Sequence, residues 1–148
     1  MAKYTRSIKR PIDKVNINQV NTNLGTTQDT NTLRTATVAE TLSGLKITGS
    51  ATRVAAGSTL GIAIIYVPDG QSINAMALGD NSIFYEPEQD VLWMKMIHQN
   101  NGVEPIQIEG NSKSMRKLKS GDKIQIAAVS DQAGGFRVHT STTGWFKQ

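Results

Sequence analysis

Cysteine is absent from the 148-residue sequence. Its absence excludes a disulfide scaffold, zinc sites built on cysteine and every cysteine nucleophile. A chain of this length buries a core large enough to fold without such links. The length is also close to the usual size of one domain, so we expect a single globular unit.

Long apolar runs are also lacking. The longest extends over eight residues from Leu60 to Val67, well short of the ~20 that a membrane-spanning helix requires. The basic segment from Met1 to Lys14 is followed by polar residues, not by the apolar region of a secretory signal. No Asn-x-Ser/Thr glycosylation site occurs. We therefore expect a protein of the cytosol or nucleus that does not enter a membrane.

Charge is segregated along the chain, although the net charge is only +4. Residues 1–14 and 113–123 each carry five cations against one acid, whereas residues 80–109 carry six acids against one lysine. Flexible cations bind phosphate by releasing counterions, and Tyr4 could stack on a base. Both basic segments are therefore candidate nucleic-acid contacts, the alternative being that they are ordinary solvated turns. The candidates are Lys3, Arg6, Lys9, Arg10, Lys14, Lys113, Arg116, Lys117 and Lys119.

The first 31 residues carry little that could form a core. Between Val15 and Asn31 the sequence is rich in Asn, Thr and Gln, which favours an extended or mobile segment. We therefore expect a basic and polar, partly flexible arm over residues 1–31 and a globular domain over residues 32–148.

From Thr32 onward, stretches rich in Val, Ile and Thr alternate with turn residues, and helical periodicity is nearly absent. Gly44 and Gly49 are expected to mark bulges or bends in one long strand. The apolar run at 60–67 is expected to be a central strand buried on both faces. The predicted strands are 33–40, 45–54, 60–67, 83–85, 91–98, 106–109, 123–129 and 136–140, with a helical turn or two over 72–78. About eight strands at this spacing predict an all-β sandwich or barrel.

The sequence offers no pattern typical of catalysis or metal binding. His98 and His139 lie in predicted strands and form no HExxH spacing, and the glycine-rich phosphate loops and nucleophile elbows are absent. Glu86, Glu88 and Asp90 are spaced like ligands for a hard cation, but the glycine and distal glutamate of a calcium loop are missing. We expect no catalytic residue, no cofactor and no resident metal.

The most distinctive stretch runs from Ile106 to Ala128, and within it lies the segment from Ser112 to Ile124. It contains Ser-Lys-Ser-Met-Arg-Lys-Leu followed by Gly-Asp-Lys-Ile. It resembles the corresponding segment in capsid proteins of small circular single-stranded DNA viruses that encode a replication-initiator protein. Thr-Leu-Arg-Thr from Thr32, Leu-Gly-Ile-Ala-Ile from Leu60 and Asp-Val-Leu-Trp from Asp90 resemble further strands of that family. The order and spacing fit over residues 32–130.

The resemblance implies an eight-stranded antiparallel jelly-roll β-sandwich that assembles with itself into a closed icosahedral shell of about 60 copies. It also implies that the N-terminal arm contacts a circular single-stranded DNA genome, in a virion assembled in the host nucleus or cytoplasm. The arm departs from the family pattern, because many relatives have a long arginine-dense arm and this one is short. Ions or the loop at 113–123 are then expected to help neutralise the phosphates.

Assembly also requires contacts between copies. Aromatic residues are few, at 5% of the chain, and Tyr85, Trp145 and Phe146 are candidate interface anchors, whereas we expect Trp93 in the core. The acidic stretch at 80–109 is expected to meet the basic loop at 113–123 of a neighbouring copy.

Two other functions fit parts of the same sequence. One is a monomeric or dimeric nucleic-acid-binding β-barrel, which stacks bases on strand aromatics. The other is a carbohydrate-binding or hydrolytic jelly roll, which needs an aromatic platform or a close carboxylate pair. The low aromatic content disfavours both alternatives.

Overall fold

The computed structural model describes residues 12–24, 29–53, 59–73, 90–98, 105–113, 115–131 and 136–147, with the backbone alone for residues 12–24 and 53. Within these ranges the chain forms nine strands and no helix. The strands are β1 (Ile12–Leu24), β2 (Asp29–Thr35), β3 (Glu40–Arg53), β4 (Thr59–Val67), β5 (Asp90–His98), β6 (Ile106–Ser112), β7 (Arg116–Leu118), β8 (Lys123–Ser130) and β9 (Phe136–Lys147).

The strands form two antiparallel sheets. The first has the order β1-β9-β3-β6, with the short β7 paired to the start of β3, and the second has the order β2-β8-β4-β5. The first and last long strands are thus neighbours in one sheet, and the second and second-last are neighbours in the other. This interleaving of eight long strands is the jelly roll, with its two Greek keys. The predicted fold class is confirmed, and a closed barrel is not the architecture of the described strands.

The main core lies between the two sheets. Buried residues from β3 and β9, such as Ile47 and Phe136, share one cluster with Ile62, Ile64 and Ile126 of the second sheet. In β9 every second residue from Phe136 to Phe146 is buried, which is the period that a strand with one face on a core requires. Trp93 is partly buried against the same cluster, as predicted.

The apolar run at 60–67 becomes β4, which pairs with β8 on one side and β5 on the other. Leu60, Ile62 and Ile64 belong to the main core, whereas Ala63 and Ile65 belong to a second buried cluster on the opposite face of the sheet. The prediction of a central strand buried on both faces is confirmed. The absence of alternation in its sequence follows directly from this position.

The two glycines of β3 have separate roles. The register between β3 and β9 shifts between Leu42 and Gly44, so the predicted bulge lies at the first glycine. At Gly49, a Cβ atom would approach the carbonyl oxygen of His139 and lie 2.9 Å from Thr140 Cα. Glycine at this position allows the backbones of β3 and β9 to come close together.

The sandwich begins earlier in the sequence than the predicted boundary at Thr32. β1 pairs with β9 from Ile12 opposite Lys147 to Leu24 opposite Phe136, and β2 begins at Asp29. β1 is the edge strand of the first sheet, and an edge strand tolerates more polar residues than a central one. The edge position explains why the sequence of β1 is rich in Asn and why it was predicted to be a polar arm instead of a strand. The predicted contacts Lys3, Arg6, Lys9 and Arg10, with Tyr4, lie outside the described residues.

Further bounds differ from the prediction, and three of the differences change the arrangement of the strands. The segment 33–40 is divided by a turn over residues 36–39, β9 continues to Lys147 instead of ending at 140, and the basic loop contains the short strand β7. β9 extends because the residues after Thr140 keep the alternation of buried and outward positions, although the buried ones are Thr142 and Gly144. The predicted strand at 83–85 and most of the predicted helical segment at 72–78 lie outside the described residues.

Candidate functional site

Three connections meet at one end of the sandwich, around the side chain of Asp122. We call this end the loop end; it comprises residues 36–39, 68–73 and 113–122. The Asp122 carboxylate accepts hydrogen bonds from the backbone N of Asp69 (2.9 Å), the backbone N of Lys119 (2.8 Å) and the Tyr66 hydroxyl (2.6 Å). Its backbone carbonyl accepts a fourth from the backbone N of Ala36 (2.8 Å). One buried residue therefore holds all three connections together, two through its carboxylate and the third through its backbone carbonyl.

Gly121 precedes this carboxylate in a left-handed conformation, with φ at +93°. Its backbone N donates to the carbonyl oxygen of Ala36 at 2.7 Å, and a Cβ atom here would collide with the side chain of Asp69. Glycine is the residue that takes this conformation without strain. The Gly-Asp pair in the distinctive segment is therefore a structural part of the loop end.

Asp122 and Tyr66 perturb each other's protonation. Burial by itself raises the pKa of Asp122, but the hydrogen bonds from Tyr66, Lys119 and Asp69 outweigh it and hold that pKa below its ordinary value. The same hydrogen bond to Asp122, with burial and the carboxylate's charge, raises the pKa of Tyr66 to about 12. Sequence analysis missed both residues. The only signals were turn residues, Pro68-Asp69-Gly70 and Gly121-Asp122, which gave no reason to connect two segments so far apart.

This pair predicts a dependence of stability on pH at both extremes. The lowered pKa of Asp122 contributes stability that is present above the pKa of an unfolded aspartate, about 4, and is lost as pH falls through the folded value. The raised pKa of Tyr66 contributes stability below pH about 10, lost as pH rises through about 12.

We expect the tyrosinate absorbance of the wild type, minus that of Tyr66→Phe, to titrate with a pKa of about 12. In Asp122→Asn the Tyr66 pKa should fall back towards 10, because the carboxylate that opposes ionisation is gone. A pKa of Tyr66 near 10 in the wild type would contradict the hydrogen bond from Tyr66 to Asp122.

Arg116 is engaged within the chain. Its guanidinium forms an ion pair with Asp90 of β5 and lies 5.1 Å from the centre of the Tyr66 ring. This ion pair joins the acidic stretch to the basic loop within one chain, whereas the predicted meeting of the two was between neighbouring copies. Arg116 thus links β7 to the second sheet, a position that differs from that of an outward cation in a nucleic-acid contact.

The other cations of the loop point outward. Lys113, Lys117 and Lys119 are exposed. Thr41 pairs with Lys117 in β7 and with Lys147 in β9, so these two lysines flank it on the neighbouring strands. Lys147 also pairs with Ile12, the first described residue of the predicted arm. The structure therefore brings the exposed lysines and the start of β1 to the same end of the sandwich.

Trp145 and Phe146, both predicted as interface anchors, point to opposite faces of β9. Phe146 is 1% exposed and lies in the core, with the Arg34 guanidinium 4.8 Å from its ring centre. Arg34 is held by a two-fold hydrogen bond to the buried Glu40 (3.0 and 2.7 Å). The prediction that Phe146 anchors an interface is therefore wrong, because the alternation of β9 turns this side chain towards the core. Trp145 faces away from the core and is half-buried, and Tyr85 lies outside the described residues.

The described ranges contain neither a candidate metal site nor a candidate membrane-spanning helix. No group of three or more His, Asp or Glu side chains there is arranged to hold a metal ion. No helix in that part of the chain has the length and apolar character of a membrane span.

Comparisons with known proteins give a limited result. No protein-family model and no curated protein matches the sequence. Among solved structures, the chain is similar to a chain in the structure of infectious bursal disease virus Gt strain, with 16% identity and a TM-score of 0.23. The match covers 95% of this chain and 42% of the other. At this TM-score the order of the strands, and not the likeness, establishes the fold.

Proposed function

We propose that the protein is a structural capsid protein, which self-assembles into a small icosahedral shell around a circular single-stranded DNA genome. The basic arm and the exposed lysines of the loop at 113–123 contact the nucleic acid. The observation that carries the proposal is the jelly-roll order of the two sheets, with the distinctive Ser112–Ile124 segment at the loop end. No catalytic role is part of the proposal.

The edges of the two sheets favour contacts with further copies. β5 is an edge strand of the second sheet, and Met94 and Met96 on it are 39% and 52% exposed. Among the described strands none pairs with the outer side of β5, and an open strand edge with apolar side chains is a surface that proteins usually cover. A neighbouring copy in a shell would cover it.

The loop end is suited to a contact of a different composition. Val38 and Met115 are exposed there, together with the cationic side chains of Lys117 and Lys119. Interfaces between folded proteins bury exposed apolar side chains within a polar rim, so these residues are candidates for such a contact. Asp122 holds these connections in fixed positions, which reduces the entropy lost on binding.

Charge reversal of the loop provides a prediction about assembly. We expect Lys117→Glu with Lys119→Glu to weaken particle formation, because an acidic surface of the neighbouring copy would meet like charge. The neutral pair Lys117→Ala with Lys119→Ala should weaken it less. Yield of particles by size-exclusion chromatography is the measurement, with thermal unfolding as a check that the fold is unchanged. Normal yield from the reversed variant would refute this contact.

The proposed function itself is tested by electron microscopy of the purified full-length protein, with the ratio of ultraviolet absorbance at nucleic-acid and protein wavelengths taken on the same sample. Uniform closed particles with a raised ratio support a shell that encloses nucleic acid. Closed particles with a protein-like ratio keep the shell but remove the packaging role. Only small species, in both low and moderate salt, would contradict the shell and favour a binding module.

A further inference from the structure

The first sheet has an outward face that carries no apolar cover among the described residues. In β9 the odd-numbered positions point away from the core, and the antiparallel register aligns them with outward positions of β3, which in turn align with those of β6. We call this surface the outer face. Its described side chains are Lys46, Thr48, Ser50, Thr52, Gln107, Glu109, Asn111, Arg137, His139, Ser141, Thr143, Trp145 and Lys147.

The charge of the outer face has one dominant sign. Lys46, Arg137 and Lys147 are exposed cations, and Glu109 is the one acid among its described side chains. The remaining members are mainly hydroxyl and amide side chains, which donate and accept hydrogen bonds without charge. The cations of such a surface attract a polyanion. Its hydroxyl and amide side chains can form hydrogen bonds with the sugars and bases between the phosphates.

The cations follow a line along β9. Arg137 and Lys147 are ten residues apart on that strand, a distance of about 34 Å at the usual rise of an antiparallel strand. Lys46 lies between them on the adjacent β3, opposite Thr143. The register thus sets positive charge at both ends and in the middle of a long, flat track.

Trp145 is on the same track, between Lys147 and the row that holds Lys46. Its neighbour across the sheet is Gly44, and a Cβ atom at that position would lie only 3.8 Å from Trp145 Cε3. The absence of a side chain at Gly44 leaves the indole without a bulky neighbour on that side. On the other side, β1 brings Lys14 into register with Trp145. An aromatic ring among cations is what proteins use to stack the bases of a single strand.

We propose that the outer face binds single-stranded nucleic acid along β9, with Lys46, Arg137 and Lys147 on phosphates and Trp145 stacked on a base. This inference rests on the proposed function for its biological setting, because it gives the genome a second contact beyond the basic arm. The site itself is defined by the register of β9, β3 and β1. A duplex is a poorer fit, since its bases are already stacked on one another.

The test measures the affinity of the full-length, unassembled protein for a labelled oligothymidine by fluorescence anisotropy at several salt concentrations. Trp145→Ala is expected to lose about tenfold in affinity without changing the salt slope. Lys46→Ala with Arg137→Ala is expected to reduce that slope by about 1.4, the contribution of two phosphate contacts on a single strand. Glu109→Gln should bind more tightly. Lys95→Ala, on β5 of the other sheet, is the control and should bind like the wild type.

A second measurement does not depend on the state of assembly. Ultraviolet crosslinking to an oligonucleotide that contains bromodeoxyuridine should join the base to the peptide with Trp145. Unchanged affinity in Trp145→Ala together with no crosslink to that peptide overturns the inference, as does equal affinity for single strands, duplex and heparin. If the wild type forms no particles but the binding and crosslinking results are as expected, the shell is refuted and the nucleic-acid site on the outer face stands. If particles form but the binding and crosslinking results are not as expected, the site on the outer face is refuted and the shell stands.

Discussion

Replacing Phe146 by alanine should lower the free energy of unfolding by about 4 kcal/mol, the usual cost of removing a fully buried phenylalanine. The ring is 1% exposed and lies beside Leu33 and Leu45 in the core, so its removal opens a cavity between the sheets. It also removes the surface on which the Arg34 guanidinium lies. Denaturant unfolding of the unassembled protein measures the loss.

The neighbour of Phe146 supplies the matched control. Trp145→Ala should cost only about 1 kcal/mol, because a half-exposed side chain on the outward face loses less contact. Phe146→Leu should cost no more than about 1.5 kcal/mol, because it keeps most of the apolar volume. If Trp145→Ala were the more destabilising of the two, the alternation assigned to β9 would be wrong at its end.

Asp122→Asn should lower the free energy of unfolding by about 3 kcal/mol at neutral pH. Three donors point at this carboxylate, and hydrogen bonds to a charged acceptor contribute more than neutral ones. The asparagine amide nitrogen cannot accept, so at least one buried donor loses its partner. Because the lost hydrogen bonds lie at the loop end, this end should also exchange its amide hydrogens faster than the sheets do.

Asp131 at the opposite end of the sandwich is the comparison for Asp122. Its carboxylate accepts one hydrogen bond, from the backbone N of Thr59 at 2.8 Å, so Asp131→Asn should cost about 1 kcal/mol. Equal losses at the two aspartates would show that the convergence of donors on Asp122 adds nothing to stability. If each substitution speeds amide hydrogen exchange only at its own end of the sandwich, this would support a local structural role for Asp122 and for Asp131.

The fold could be predicted where hydrophobic periodicity carries the information. The continuous run of β4 indicated a strand buried on both faces, and the structure agrees. The alternation in β8 indicated a strand with one face on the core, which holds from Lys123 to Ile126, whereas Ala127 and Val129 are buried on the opposite face. β1 was missed because an edge strand pairs through its backbone, and its side chains need not be apolar. The end of β9 was missed because Thr142 and Gly144 fill its inward positions, so the alternation is visible only once burial is known.

The candidate site was less predictable than the fold. A charge count locates the lysines of the loop but does not tell which cation is already paired, and Arg116 is paired with Asp90. The hydrogen bond from Tyr66 to Asp122 joins residues 56 positions apart, and local sequence patterns hold no information on such a contact. The outer face appears only when the register aligns strands from both ends of the chain.

The position of β9 also sets the order in which the protein can be made. β9 is the last strand of the sequence, yet it lies in the middle of the first sheet, between β1 and β3. Until the ribosome releases residues 136–147, β1 lacks its partner and β3 has one side unpaired, and such edges are prone to aggregate during synthesis. A nascent chain therefore cannot present the outer face or a finished sandwich until residues 136–147 have left the ribosome.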